Sequence, residues 1–191
     1  MMKDMKSAII LHGMPEEEDY RDPDADSQSN SHWLPWIQQQ LIAQGVLAQT
    51  PELPEPYAPD YQNWKAVFEQ FEIGPETMLI GHSAGAGFLA RWLSEHDQPV
   101  GKVVLVAPWL DPHHEQGDNF TFELDAAVPG RTQGVTIFIS NDDDEEMYSA
   151  VSLLSGAWPS GCIIRMEHKG HFTLGDMGTR EFPELRDVLL G

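Results

Sequence analysis

Ser83, a run of three aspartates at 142–144 and His171 are the residue types that together turn a hydroxyl into a nucleophile, and each lies just past an apolar run. The first sits in Met78-Leu79-Ile80-Gly81-His82-Ser83-Ala84-Gly85, where an apolar segment ends in G-x-S-x-G and a helix-forming stretch follows at once. A strand-to-helix turn this tight brings backbone against backbone, and glycine on both sides of the serine omits the Cβ atoms that would collide. The turn lifts the Ser83 hydroxyl clear of the main chain. His82, one residue earlier, is expected to point away from the chemistry.

A serine hydroxyl is a weak nucleophile until a neutral imidazole takes its proton, and the same imidazole must later protonate the leaving group. The imidazole needs a carboxylate to fix its tautomer and to stabilise the charge it gains. Asp142, Asp143 and Asp144 follow the apolar run ending at Ile139-Ser140, and Lys169-Gly170-His171 follow the run ending at Met166. In an open α/β sheet the site lies at the carboxyl ends of the strands, so these residues can converge. The chain order Ser, Asp, His is that of the α/β-hydrolase fold. The anionic intermediate of acyl transfer also needs backbone N–H donors. Ala84, at the helix start, supplies one, and Met14, after the first apolar run and His12-Gly13, is expected to supply the other.

The elements that must position these groups are legible as an alternation. Buried strands are expected at Ser7-Ala8-Ile9-Ile10-Leu11, at 78–82, at Lys102 to Ala107, at Val135 to Ile139 and at Cys162 to Met166, with a weaker one at Val46 to Thr50. Helical periodicity covers Trp33 to Gln44, Tyr61 to Phe71, Ala84 to Glu95 and Glu181 to Leu190. Such alternation predicts a single α/β domain over 1–191, a mostly parallel sheet of about six strands with helices on both faces. Two stretches break the pattern. Met14 to Ser31 is acidic and polar and reads as a long exposed loop. Pro108 to Gly134 reads as loops with a short helix around Phe120 to Ala126, the one candidate cap, offering Trp109 and Phe120 or Phe122 to a pocket wall.

Leu11-His12-Gly13, Gly81-His82-Ser83-Ala84-Gly85 and Gly170-His171-Phe172 resemble the α/β-hydrolase superfamily. More closely, they resemble its small single-domain serine hydrolases of the retinoblastoma-binding protein 9 type. Trp33 and Trp36, the proline-rich segment before Trp64 and the Val103-Leu105-Val106 run support the resemblance, which spans nearly the whole chain. At 191 residues there is little room for a separate lid, so a minimal cap and hydrolysis of a small ester or related acyl bond are expected. Aligning Phe138 with the family's aromatic places the family's catalytic aspartate on Asp143, with Asp142 the alternative. The chain departs from the family after Gly13, where Met14-Pro15 opens a long acidic insert, and after the acid, where Glu145-Glu146 replace proline and apolar residues.

The remaining features narrow the classes. Eleven Lys and Arg against 31 Asp and Glu give a net charge of −20, a surface that repels phosphate backbones and anionic membranes. No nucleic acid or membrane partner is expected. There is no G-x-G-x-x-G or Gly-Lys-Ser/Thr phosphate loop. Asp111, His113, His114, Glu115 and Asp118 invite a metal reading, but adjacent histidines point apart, and neither a metal nor a cofactor is expected. His168 and His96 are taken as bystanders, and His12 and Trp109 as lining of a substrate pocket. Cys162, the only cysteine, is expected in the core, and with no secretory or membrane segment the protein is expected in the cytoplasm. The competing class is a protein-binding module that keeps the fold with a vestigial triad, docking a partner through the acidic insert.

Overall fold

The computed structural model describes residues 6–191. Six strands form one sheet: β1 (Ser7–Leu11), β2 (Leu47–Gln49), β3 (Thr77–His82), β4 (Val103–Val106), β5 (Val135–Ser140) and β6 (Cys162–Met166). The order is β2-β1-β3-β4-β5-β6, and every pairing is parallel. Seven α-helices accompany them: α1 (Glu17–Arg21), α2 (Leu34–Ala43), α3 (Tyr61–Phe68), α4 (Ala84–Glu95), α5 (Glu145–Ala157), α6 (Leu174–Met177) and α7 (Pro183–Leu190). The chain runs from β1 outward to β2, then back to β3 and onward, so the order reverses between β1 and β3. Right-handed crossovers then put α2 on one face and α3, α4 and α5 on the other.

Burial explains the order. All six residues of β3 and all four of β4 are buried, as strands covered on both faces must be. On one face Trp33 meets Phe182 edge-on, and Phe182 stacks on Phe172. On the other, Phe68 of α3 packs edge-on against Phe88 and Trp92 of α4. Each such aromatic contact adds about 0.5–1.5 kcal/mol beyond the area it buries.

Four expectations require correction. The insert 14–31 is not a featureless loop: it holds α1 and a 3-10 turn at Gln28–Asn30, with Ser29 and Ser31 buried. The Gln28 and Ser29 N–H groups donate to the Glu52 carboxylate, and Arg180 pairs with Asp26, so side chains from outside the insert order it. The helix expected at 120–126 is absent; 3-10 turns occupy Gly117–Phe120 and Val128–Arg131 instead, the second holding Pro129. Cys162 is exposed, because it opens β6, an edge strand whose outer side no further strand covers. Finally, α5 is a full helix where the sequence reading assigned none. Met147, Ala150, Val151 and Leu154 form its buried face at helical spacing.

Candidate active site

The site lies beyond the carboxyl ends of β1, β3, β5 and β6, against the β1/β3 reversal, where an open α/β sheet leaves a crevice. Ser83 is the hinge between β3 and α4, with φ 53° and ψ −120°. A β-carbon-bearing residue held there carries strain of about 1–3 kcal/mol, which persists only where the surroundings over-determine it. They do so here. The Ser83 N–H donates to Val106 O at 2.9 Å, and its carbonyl accepts from the N–H groups of Ala86, Gly87 and Trp109. A Cβ on Gly81 would lie 2.7 Å from Ala86 N and one on Gly85 2.3 Å from His12 O, so both glycines are sterically required.

Ser83 Oγ lies 2.8 Å from His171 Nε2, and His171 Nδ1 lies 3.0 Å from Asp143 Oδ1. A carboxylate only accepts, so Nδ1 carries the imidazole proton and Nε2 presents its lone pair to the serine hydroxyl. The Asp143 side chain is 1% exposed and that of His171 28%, so the pair runs from the interior to the mouth of the site. Asp143 Oδ1 also accepts from the Asp144 N–H, and its Oδ2 is buried without a partner among the described residues.

The three adjacent aspartates have separate surroundings. Asp142 Oδ1 accepts from the Ser140 hydroxyl at 2.5 Å and from the Gly170 N–H at 2.9 Å. Those bonds hold its carboxyl below the usual range, the Ser140 hydroxyl contributing most. Asp144 is exposed and precedes α5 as its N-cap residue. Neighbouring contacts extend the pattern: Asn141 Oδ1 accepts from the His168 N–H and Ser140 Oγ from the Lys169 N–H, each at 2.9 Å. Side chains at the end of β5 thus stitch down the loop that carries His171.

The loop after β1 reaches the same point. A Cβ on Gly13 would stand 2.9 Å from Ser83 Cβ and 3.5 Å from its Oγ, so only glycine lets this loop approach. Neither Met14 N–H nor Ala84 N–H donates to a protein acceptor among the described residues. His12 is not a lining residue as expected. It is 1% exposed, and its Nδ1–H donates to Gly13 O while Nε2 accepts from the Leu53 N–H, at 2.8 and 2.9 Å. Accepting at Nε2 requires a neutral ring, and burial lowers its pKa to match. Trp109 is also buried; its indole N–H donates to Glu146 at 2.5 Å and its ring packs edge-on against Phe120.

Several groups near the base carried no recognised motif. Asp176 Oδ2 accepts from the His171 N–H at 2.9 Å, inside a Thr173/Asp176 capping box that opens α6. The T-x-x-D spacing was a visible signal for it. His82 does not point away from the chemistry: its Nε2–H donates to His171 O at 2.8 Å, and the two rings lie 5.1 Å apart. The metal reading at 111–118 loses its best ligand, since the buried Asp111 carboxylate accepts from the Glu115 and Gln116 N–H groups. Among the described residues no three His, Cys, Asp or Glu side chains gather as a metal site would require.

A parallel sheet with a strained serine at its central strand end, and a histidine and an aspartate converging on it, defines the α/β-hydrolase class. Residues 24–190 match the Serine hydrolase family, and the chain belongs to it. The ydeN gene product of Bacillus subtilis (strain 168) is 27% identical in sequence over 96% of this chain and 94% of its own length. In its crystal structure it superposes with a TM-score of 0.81 over 97% of both chains, at 25% identity. A YdeN-like protein from Pectobacterium atrosepticum (TM-score 0.65, 19% identity, covering 96% of this chain and 89% of its own) shares the fold. So does Est1E from Butyrivibrio proteoclasticus with bound ferulic acid (TM-score 0.65, 14% identity, 97% and 88%). The protein is a hydrolase.

Proposed function

We propose that this hydrolase cleaves a small ester or related acyl bond through an acyl-enzyme, with Ser83 as nucleophile, His171 as base and acid, and Asp143 as the acid that orients it. The observation that carries this reading is the unbroken chain Asp143 Oδ1–His171 Nδ1, His171 Nε2–Ser83 Oγ, at 3.0 and 2.8 Å. In the first half-reaction Ser83 Oγ attacks the acyl carbon as its proton passes to His171 Nε2. The tetrahedral oxyanion is held by the Met14 and Ala84 N–H groups, and the assignment is supported by their lack of protein acceptors and by the closeness of Gly13 to Ser83. His171 then returns the proton to the departing alkoxide as the carbon–oxygen bond breaks. In the second half, water loses a proton to His171 and attacks the acyl-enzyme, and Ser83 regains its proton as the carboxylic acid leaves.

The closer kinship with retinoblastoma-binding protein 9 type hydrolases belongs to the same reading, carried by the motifs around His12, Ser83 and His171. So does a minimal cap. Residues 108–134 hold only two 3-10 turns, and Trp109, whose backbone N–H donates to Ser83 O, packs its ring edge-on against Phe120. That favours a short acyl group, with Trp109 forming a wall. A cytoplasmic setting fits a chain with a single, exposed cysteine, and among the described residues no helix is long and apolar enough to cross a membrane. The test is a series of p-nitrophenyl esters from acetate to decanoate. The expected result is turnover highest at two to four carbons, with a burst of nitrophenol, and none in Ser83→Ala. Turnover that persists in Ser83→Ala contradicts the assignment.

A further inference from the structure

We propose that His82 is a positioning residue for His171, whose Nε2–H anchors the main chain of the base to the same turn that carries the nucleophile. This rests on the reading of Ser83 and His171 as nucleophile and base. Two adjacent residues of one turn grip one histidine at its two ends. Ser83 Oγ meets the ring at Nε2, and His82 Nε2–H meets the carbonyl, both at 2.8 Å. A carbonyl only accepts, so the His82 proton is on Nε2 and Nδ1 holds a lone pair. That Nδ1 is buried and has no partner among the described residues. An apolar side chain would fill this space, between the rings of Trp33, His32 and His171, without burying an unpaired nitrogen. The donor is what an apolar residue lacks.

The loop gives the donor a task. His168, Gly170 and Phe172 all have positive φ, at 55°, 50° and 57°, so the segment holding His171 relies on outside restraints. The end of β5 holds residues 168–170 of this loop, and two further restraints fall on the His171 main chain itself; one, from Asp176 on its N–H, comes from an exposed four-residue helix. The other, from His82, comes from a buried strand end that is covalently continuous with Ser83. This bond ties the main chain of the base directly to the element that carries the nucleophile. Burial holds the His82 ring neutral, its pKa well below the ordinary value, so a single tautomer with its proton on Nε2 makes this bond.

His82→Gln keeps an N–H at similar reach, and His82→Met removes it at similar size. The expected result is a fall in kcat of about 10²-fold in His82→Met with KM little changed, and recovery of most of that loss in His82→Gln. Wild-type kcat in His82→Met, or equal loss in both variants, overturns the proposal. Where His82→Met does not fold, imidazole 15N NMR of the wild type decides: the Nε2–H tautomer of His82, constant from pH 6 to 8, is expected. An Nδ1–H tautomer overturns it. Ser83→Ala separates the two readings, since activity surviving there removes the triad itself, whereas loss there beside an unimpaired His82→Met removes only the anchor.

Discussion

The N–H of Gly170 donates to Asp142 Oδ1 at 2.9 Å, one residue before His171 Nδ1 meets Asp143 Oδ1 at 3.0 Å. Adjacent aspartates thus hold adjacent residues of one loop, the first through its backbone and the second through its ring. The two carboxylates differ in what their loss removes. Asp143→Asn leaves no acceptor of the right charge for the imidazolium and favours the wrong tautomer, so kcat should fall by about 10⁴-fold. Asp142→Asn keeps an acceptor for the Gly170 N–H and should cost about 10-fold or less in kcat. Steady-state rates on one short ester compare them; equal losses contradict the division of roles.

Gly13 is the second point where a single atom decides the outcome. A Cβ there would lie 2.9 Å from Ser83 Cβ, closer than unbonded carbons pack, and Ser83 is held by four backbone hydrogen bonds and is not free to yield. The loop after β1 should withdraw instead, taking the Met14 N–H out of reach of the oxyanion. Gly13→Ala should therefore lose about 10²-fold or more in kcat, the cost of one oxyanion donor, while the thermal midpoint moves little. A variant with full activity would remove Met14 from the oxyanion site.

Acid should destabilise the fold through its buried histidines. His12, His32 and His82 all have pKa values lowered in the folded state, chiefly by burial. Because the unfolded chain binds protons that the folded chain refuses, their contribution is fully present above the unfolded value of about 6.5 and is lost as pH falls below it. The buried pair His12 and His82 should each remove up to about 1.4 kcal/mol per pH unit in that window. Urea midpoints at pH 7.5 and 5.5 should show a clear loss at the lower pH. A flat profile contradicts neutral burial of these rings.

How much of this is legible in the amino-acid sequence depends on the range of the interactions. The strands at 7–11 and 103–106 and the helix at 84–95 follow from local apolar patterning, which records burial directly, whereas the equally apolar run at 162–166 forms an edge strand with no fully buried residue. The G-x-S-x-G turn is equally local, since its glycines are demanded by neighbours in the same turn and by β1 beside it. The roles of His12, His82 and Asp142 were not readable, because each is set by a partner 28 to 89 residues away: Leu53, His171 and Gly170. The insert 14–31 reads as a long exposed loop for a related reason. Its order comes from Glu52 and Arg180, not from any apolar face of its own. The face of α5 is written in Met147, Ala150, Val151 and Leu154 at helical spacing, a local signal that the expectations above passed over.

The central claim is that Ser83 is a nucleophile activated by His171, and a fluorophosphonate tests it most directly, since it bonds only to a serine that is already activated. Incubation with the intact protein, followed by mass spectrometry of the digest, should place one phosphonyl adduct on the peptide holding Ser83. Labelling should disappear in Ser83→Ala and slow strongly in His171→Ala. A folded wild type that takes up no label, or an adduct that persists in Ser83→Ala, would contradict the account.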